Sequence, residues 1–433
     1  MGDRGEHRAP ADERRGNHRD VQPRDRGVLQ RLLGRTDGIT RRSLAKGTLA
    51  TGAAIAAITL VGCSNDEGKP PASGEPEVVT DSSKIIDALS EYAEADLGIA
   101  ATQTWSLPLG TTLFHSEGSW AAAMLTPESA VNPNTLGLLS LSSGSITTVM
   151  ESPTRGRGYS FHDLRCADGV LAWVEVNYGT RDWALFGQGL SGGALTGQAV
   201  QLDSGDADWE PAPFTCTGSS VIWQKMPMAT GSKRAETSTC YRWSVGEAEG
   251  TGIWESTGRF ATHPRVAGTI LTIAPRVLNE EGTYYGMTAL DLADAEPKQI
   301  DQLVLPASIR PFEAVYTGSV FAFSIEASYD SGGSLGQMGT FIGREGGPYV
   351  YFSREPAAQI MFEGTRFLIK TQSAHYLIDT EKEQLQGFSS ADRSIGLGDF
   401  PASEGNAPTP LVFATVRDAK GIPAGVTARL LTI

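Results

Sequence analysis

The sequence predicts an all-β protein, a β-propeller of seven four-stranded blades with one short N-terminal helix. Three observations predict it. The same residue classes return in steps of 50 from residue 114 onward. Within each repeat, residues alternate with period 2 on both sides of a glycine, the pattern of a strand, a tight turn and a second strand. The chain also holds 50 glycines, which collect at turns because they tolerate positive φ.

Residues 1–39 are rich in Arg, Asp and Gly, and no Met falls between Met1 and Met124. We read them as a disordered extension, or as sequence upstream of a true start at Val21 or Val28. Residues 40–63 read TRRSLAKGTLATGAAIAAITLVGC, with no charge between Lys46 and Asp66. That is about the length of a secretory apolar region. A membrane-spanning helix needs roughly 20 predominantly apolar residues, and Gly, Ala and Thr are poor material for one.

Arg41 and Arg42, with Ser43-Leu44-Ala45-Lys46 after them, resemble the twin-arginine export signal. Leu60-Val61-Gly62-Cys63 resembles the bacterial lipobox. Together they imply that the Cys63 thiol is diacylated and becomes the mature N-terminus. The lipid bilayer is then a partner, and the chain is a lipoprotein held at the extracytoplasmic face of a bacterial membrane. Two acyl chains suffice for stable anchoring where one is marginal. Twin-arginine export carries folded chains, which suits a β-protein of high contact order.

Residues 64–80, rich in Pro, Gly, Ser and Glu, read as a flexible tether. Over 81–97 the pattern predicts a helix. Asp81 or Ser82 caps it, Ile85, Ile86, Leu89 and Tyr92 share a face, and Gly98 ends it.

The repeat fills residues 98–433. Phe114, Leu164, Phe214, Pro264 and Ala314 share one column, and Ser116, Cys166, Cys216, Val266 and Tyr316 another two residues on. Glycine follows at 118, 169, 218, 268 and 318; Ala123, Trp173, Trp223, Ile273 and Phe323 end the second strand. A sixth copy runs through Ile360, Phe362, Gly364, Phe367 and Ile369. Further strand-like runs, such as 182–186 and 199–202, bring each unit to four strands, as in a propeller blade. Residues 391–433 supply a degenerate seventh copy without an outer strand; 100–106 can provide it and close the ring.

The run Cys166-Ala167-Asp168-Gly169-Val170-Leu171-Ala172-Trp173 resembles the TolB-type propeller repeat. Only this repeat keeps Asp-Gly; the others keep glycine and the apolar spacing.

The net charge of −14 is uneven. Residues 1–46 hold 12 basic and 7 acidic groups, which leaves 24 and 43 for residues 63–433, a net of −19. Phosphate backbones repel such a body, so no nucleic-acid partner is expected. Cys166 and Cys216 occupy equivalent positions of neighbouring strands and should point in the same sense, so no disulfide between them is expected.

The segment 187–193 fits both G-x-G-x-x-G and G-x-S-x-G, but each needs a helix after it, and here a strand follows. It reads as a glycine-rich loop. The four histidines after residue 63, His115, His162, His263 and His375, form no helical pair, and there is no C-x-x-C. Asp206, Asp208 and Glu210 read as solvated loop carboxylates. Neither a metal, a cofactor nor a catalytic residue is therefore assigned.

Ligands of propellers meet the mouth of the central channel. Arg157, Trp209, Arg259, Arg310 and Arg354 each stand a few residues before an inner strand. Guanidinium groups grip carboxylates and phosphates. The expected site uses Arg157, Arg259 and Arg310, with Trp209, His263 and Glu313 nearby, for an anionic or polar small ligand or a protein partner; the alternative is that these arginines pair with acidic neighbours and tie blades together. The fold class leaves two functions: a binding or interaction module, or an extracytoplasmic hydrolase or lyase built from carboxylates and arginines at the mouth.

Overall fold

The computed structural model describes residues 74–433 except 130, 231–235, 280–281, 295, 331, 391 and 397. Arg41, Arg42 and Cys63, the 1–39 extension and residues 64–73 of the expected tether lie outside the described residues.

The described strands form seven sheets. Six of them, rather than seven, are blades built from consecutive segments. Their inner strands are Thr111–Glu117, Ser160–Ala167, Phe214–Thr217, Arg265–Ala267, Glu313–Tyr316 and Met361–Glu363. The remaining sheet is composite, ordered Phe400–Pro401, Leu411–Arg417, Pro423–Thr432, Ala100–Leu107. Its outer strand pairs antiparallel from Ala100↔Thr432 to Leu107↔Val426, so the two ends of the propeller share one sheet.

The glycine hairpins lie where the repeat puts them. In the second blade, Cys166↔Leu171 and Ala167↔Val170 pair around Asp168-Gly169. Alternation sends every other side chain between blades. Val174, Trp183 and Leu185 of the second blade meet Phe214, Val221 and Trp223 of the third in one buried cluster. Full burial of such a side chain contributes about 1.5–3 kcal/mol, so these inter-blade layers are the core. The 187–193 segment is not all loop: Trp183–Ser191 is strand, and the turn is Gly192-Gly193.

The helix expected over 81–97 shrinks to Ala88–Glu91. Ile85–Asp87 pairs in parallel with Tyr349–Phe352, the outer strand of blade five, and Ala93–Glu94 with Gln384–Phe388 of blade six. An outer strand presents a row of unpaired backbone groups, and the β-branched pair Ile85-Ile86 suits that edge better than a helix. The apolar stripe is still used: Ala88 and Tyr92 are buried against Phe352, Ile378 and Leu385. The end of the expected tether is also docked. Glu77 N donates to Val304 O at 2.7 Å, and Val79 bridges Gly333. Residues 77–107 thus run as a belt along blades four, five and six and into the composite sheet.

Call the side where chain enters the inner strands the upper face. At the lower face the hairpin turns interlock. Glu117 accepts from Gly218 N at 2.9 Å, reaching past the second blade to the third, and Asp168 accepts from Ser119 N at 2.8 Å.

Candidate functional site

Between Phe400–Pro401 and Leu411–Arg417 the chain crosses the hub of the ring. There Gly405–Asn406 pairs in parallel with Met361–Glu363. Gly405 has φ +65°, and a Cβ on it would lie 2.6 Å from Val266 O, so only glycine fits.

Glu404, next to it, is buried and meets three blades. Thr215 Oγ1 donates to Oε1 at 2.8 Å, Arg265 Nη1 lies 2.9 Å from Oε2, and His115 Nε2 lies 3.5 Å from Oε1. Blades one, three and four can converge on one side chain only at the axis. Arg265 also grips Glu313 through Nε and Nη2 at 2.7 and 2.9 Å. His115 Nδ1 lies 2.9 Å from Cys166 O. A carbonyl only accepts, so the proton sits on Nδ1 and Nε2 faces Glu404. Arg165 pairs with Asp163, and its Nε has no partner among the described residues.

Burial alone would raise the Glu404 pKa, but Arg265, His115 and Arg165 hold it down to about 2. Burial opposes the charge on Arg265, yet Glu313 and Glu404 keep it firmly protonated. Burial pushes Glu313 up in spite of Arg265, and pushes His115 down in spite of Glu404. Glu404 thus sits at the centre of a buried ionic lattice.

The expected site residues separate into groups. His263 and Arg310 come together at the upper rim of the hub. His263 is open to solvent, yet surrounding protein and the nearby Arg265 and Arg165 charges lower its pKa to about 3. Arg310 is exposed and donates to Ala261 O at 3.3 Å. Glu313 is not at the mouth: it is 5% exposed and bound by Arg265. Arg259 is not free for a ligand, because Glu210 and the Pro227 carbonyl take its guanidinium. Trp209 lies beside it through a bridge to Pro227, with Lys225 Nζ 5.4 Å from its ring centroid. Arg157 is exposed in the loop into the second blade.

Sequence reading missed His115, Arg165, Thr215, Arg265 and Glu404. Four of them fall on one column of the 50-residue step, between the two apolar columns. A polar residue returning at a fixed repeat position was the available signal. Glu404 lies beyond the regular repeats and had none.

Cys166, Cys216 and Cys240 are buried free thiols. Among the described residues, no group of three or more His, Cys, Asp or Glu could hold a metal ion, and no helix is long and apolar enough to cross a membrane.

The fold defines a β-propeller protein. No protein-family model and no curated protein sequence matches the chain. Solved structures do. The β-propeller domain of the Trilobed protease from Pyrococcus furiosus is 10% identical, with TM-score 0.48 over 74% of this chain and 94% of that one. A prolyl endopeptidase is 10% identical, with TM-score 0.50 over 73% of this chain and 46% of that one, so this chain spans about half of its length. An oligogalacturonate lyase from Vibrio parahaemolyticus is 14% identical, with TM-score 0.42 over 78% and 96%. At such identities the likeness concerns the fold.

Proposed function

We propose that the chain is an extracytoplasmic bacterial lipoprotein, anchored through acylated Cys63, whose propeller binds an anionic or polar ligand or a protein partner on its upper face. The lipid bilayer is its first partner, and the motifs at Arg41, Arg42 and Cys63 support that part. One observation carries the binding part. On a body of net charge −19, exposed Arg157, Arg310 and Arg354 stand in the upper-face loops, with Arg310 near solvent-open His263. Beneath them the buried Arg165 Nε has no hydrogen-bond partner among the described residues. Such donors suit a carboxylate or phosphate.

Two experiments test the reading. Cys63→Ala should release the protein from the membrane fraction. Arg310→Glu with Arg157→Glu should abolish binding of acidic solutes and peptides in thermal-shift screening, where a ligand at 100 times its Kd adds about 2.7 kcal/mol. Undiminished shifts in that variant would sink the site.

The enzyme reading, a hydrolase or lyase, is favoured by the titratable groups gathered at the hub, because clusters of shifted groups recur at catalytic sites. Against it, Glu404 and Glu313 are already committed to Arg265. Turnover of peptide or uronate substrates that is lost in His263→Ala would decide for the enzyme.

A further inference from the structure

We infer that the upper face carries a second site, away from the hub: a depression between blades two and three that takes a sugar ring. It has a volume of about 350 Å³ and is bounded by Arg155, Asp182, Trp183, Ser204, Asp206 and Trp209. The volume is at the lower end of small-ligand sites.

The wall is held in place from behind. The buried Glu175 carboxylate accepts from Thr154 N and Arg155 N at 2.6 and 2.8 Å, and from Trp173 Nε1 at 2.9 Å. This fixes the loop that carries Arg155. The Arg155 guanidinium lies 5.0 Å from the Tyr159 ring centroid and donates to Tyr159 Oη and Gln201 Oε1 at 3.2 and 3.3 Å. Trp183 Nε1 donates to Trp209 O at 3.0 Å, tying the two tryptophans together. A Cβ at Gly205 would lie 2.5 Å from Trp183 Nε1, so the backbone there is pressed against the indole. Groups fixed before binding lose little entropy when a ligand arrives.

The lining selects the ligand class. Two carboxylates against one guanidinium disfavour an anion, unlike the hub rim. Arg155 within the wall, and Lys225 beside Trp209, disfavour an organic cation. The predominantly polar wall disfavours an aliphatic ligand. A ring of hydroxyls satisfies all of it. Asp182 accepts from Thr180 Oγ1 at 2.9 Å and Asp206 from Asp208 N at 3.0 Å, each through one oxygen, which leaves a second oxygen for hydroxyl donors. Arg155 donates to the hydroxyl or ring oxygens, and the half-buried Trp209 indole supplies an apolar wall for C–H groups.

The test is saturation-transfer NMR on the full chain with methyl α-glucoside, methyl α-galactoside and methyl α-mannoside at millimolar concentration. At least one should show transfer, and Asp182→Asn or Asp206→Asn should weaken it about tenfold or more. The Arg310→Glu variant should keep it, which separates this site from the hub rim. Thermal unfolding of each variant verifies that it is folded; Trp209→Phe is the substitute if an aspartate variant is not. No transfer for any glycoside, transfer unchanged in the folded pocket variants, or loss in Arg310→Glu alone would overturn the inference.

Discussion

Thr215 Oγ1 donates to Glu404 Oε1 at 2.8 Å, and the two residues are 189 positions apart in the chain. This bond ties the inner strand of the third blade to the segment that crosses the hub. The same carboxylate faces Arg265 and His115, so its removal takes one partner from each, although Arg265 keeps Glu313 and His115 keeps the Cys166 carbonyl.

Glu404→Ala should therefore destabilise the fold by about 1–3 kcal/mol, the usual cost of leaving a buried donor, here the Thr215 hydroxyl, without its acceptor. Glu404→Gln keeps the shape and an acceptor for Thr215 and should cost less. Guanidinium unfolding of the three proteins checks the order. The acid dependence follows from the Glu404 pKa of about 2, below the ordinary 4.5. Its contribution is present above about pH 4.5 and lost as pH falls through 2, so Glu404→Gln should flatten that part of the profile.

His375 gives a second window. Burial, then Lys370, lowers its pKa to about 3 from 6.5. Below pH 6.5 the unfolded chain takes the proton first, so stability falls between pH 6.5 and 3. His375→Phe should remove that part of the slope, read as the urea midpoint against pH.

The belt predicts a graded response to truncation. Removal of residues 1–98 exposes the outer edges of blades five and six and should lower the melting temperature with the ring intact. Removal through Leu107 takes away the outer strand of the composite sheet. That should abolish cooperative unfolding and open the upper-face loops to protease.

Gly192 and Gly193 share positive φ, at +57° and +79°, but not the same space. A Cβ at Gly193 would lie 2.4 Å from the Trp120 ring, whereas nothing lies within 4 Å at Gly192. Gly192→Ala should cost about 1 kcal/mol through backbone strain alone. Gly193→Ala should cost more, by about 1–3 kcal/mol of overpacking. Denaturant midpoints separate them.

The three free cysteines should ignore a thiol reagent in the native state. Burial raises the Cys166, Cys216 and Cys240 pKa values, and the reactive form is the thiolate. Labelling of Cys166, Cys216 and Cys240 only after addition of denaturant is the expected result, read by peptide mapping.

What was legible in the sequence follows its periodicity. Apolar columns such as Leu164/Phe214 repeat because each blade must cover its neighbour, and that constraint writes itself every 50 residues. The pairing of 100–106 with the C-terminal strand was also readable, because the last repeat lacked an outer strand. The 81–97 segment misled because Ile85, Ile86, Leu89 and Tyr92 fit a helical stripe and a strand–turn–strand alike. Edge pairing with strands 264 and 291 residues away decided it, and local pattern holds no trace of that. Of the residues expected at the mouth, Arg310 was picked by its place before an inner strand, and the structure sets it near His263. Arg265 and Glu404 were not picked, since their roles exist only where separate blades meet.

The shared sheet also sets a timetable. Leu107 pairs with Val426, and Ala100 with Thr432. A ribosome adds about 5–20 residues per second, so the strand at 100–107 waits roughly 15 to 65 s for its partner to be made. Throughout that wait the first blade stands beside a gap, with Ala121, Ala123 and Leu139 lacking the Leu411, Val426 and Ala428 that later cover them. The strand Pro423–Thr432 turns an open arc into a ring, so its synthesis is the point that commits the molecule to its final form.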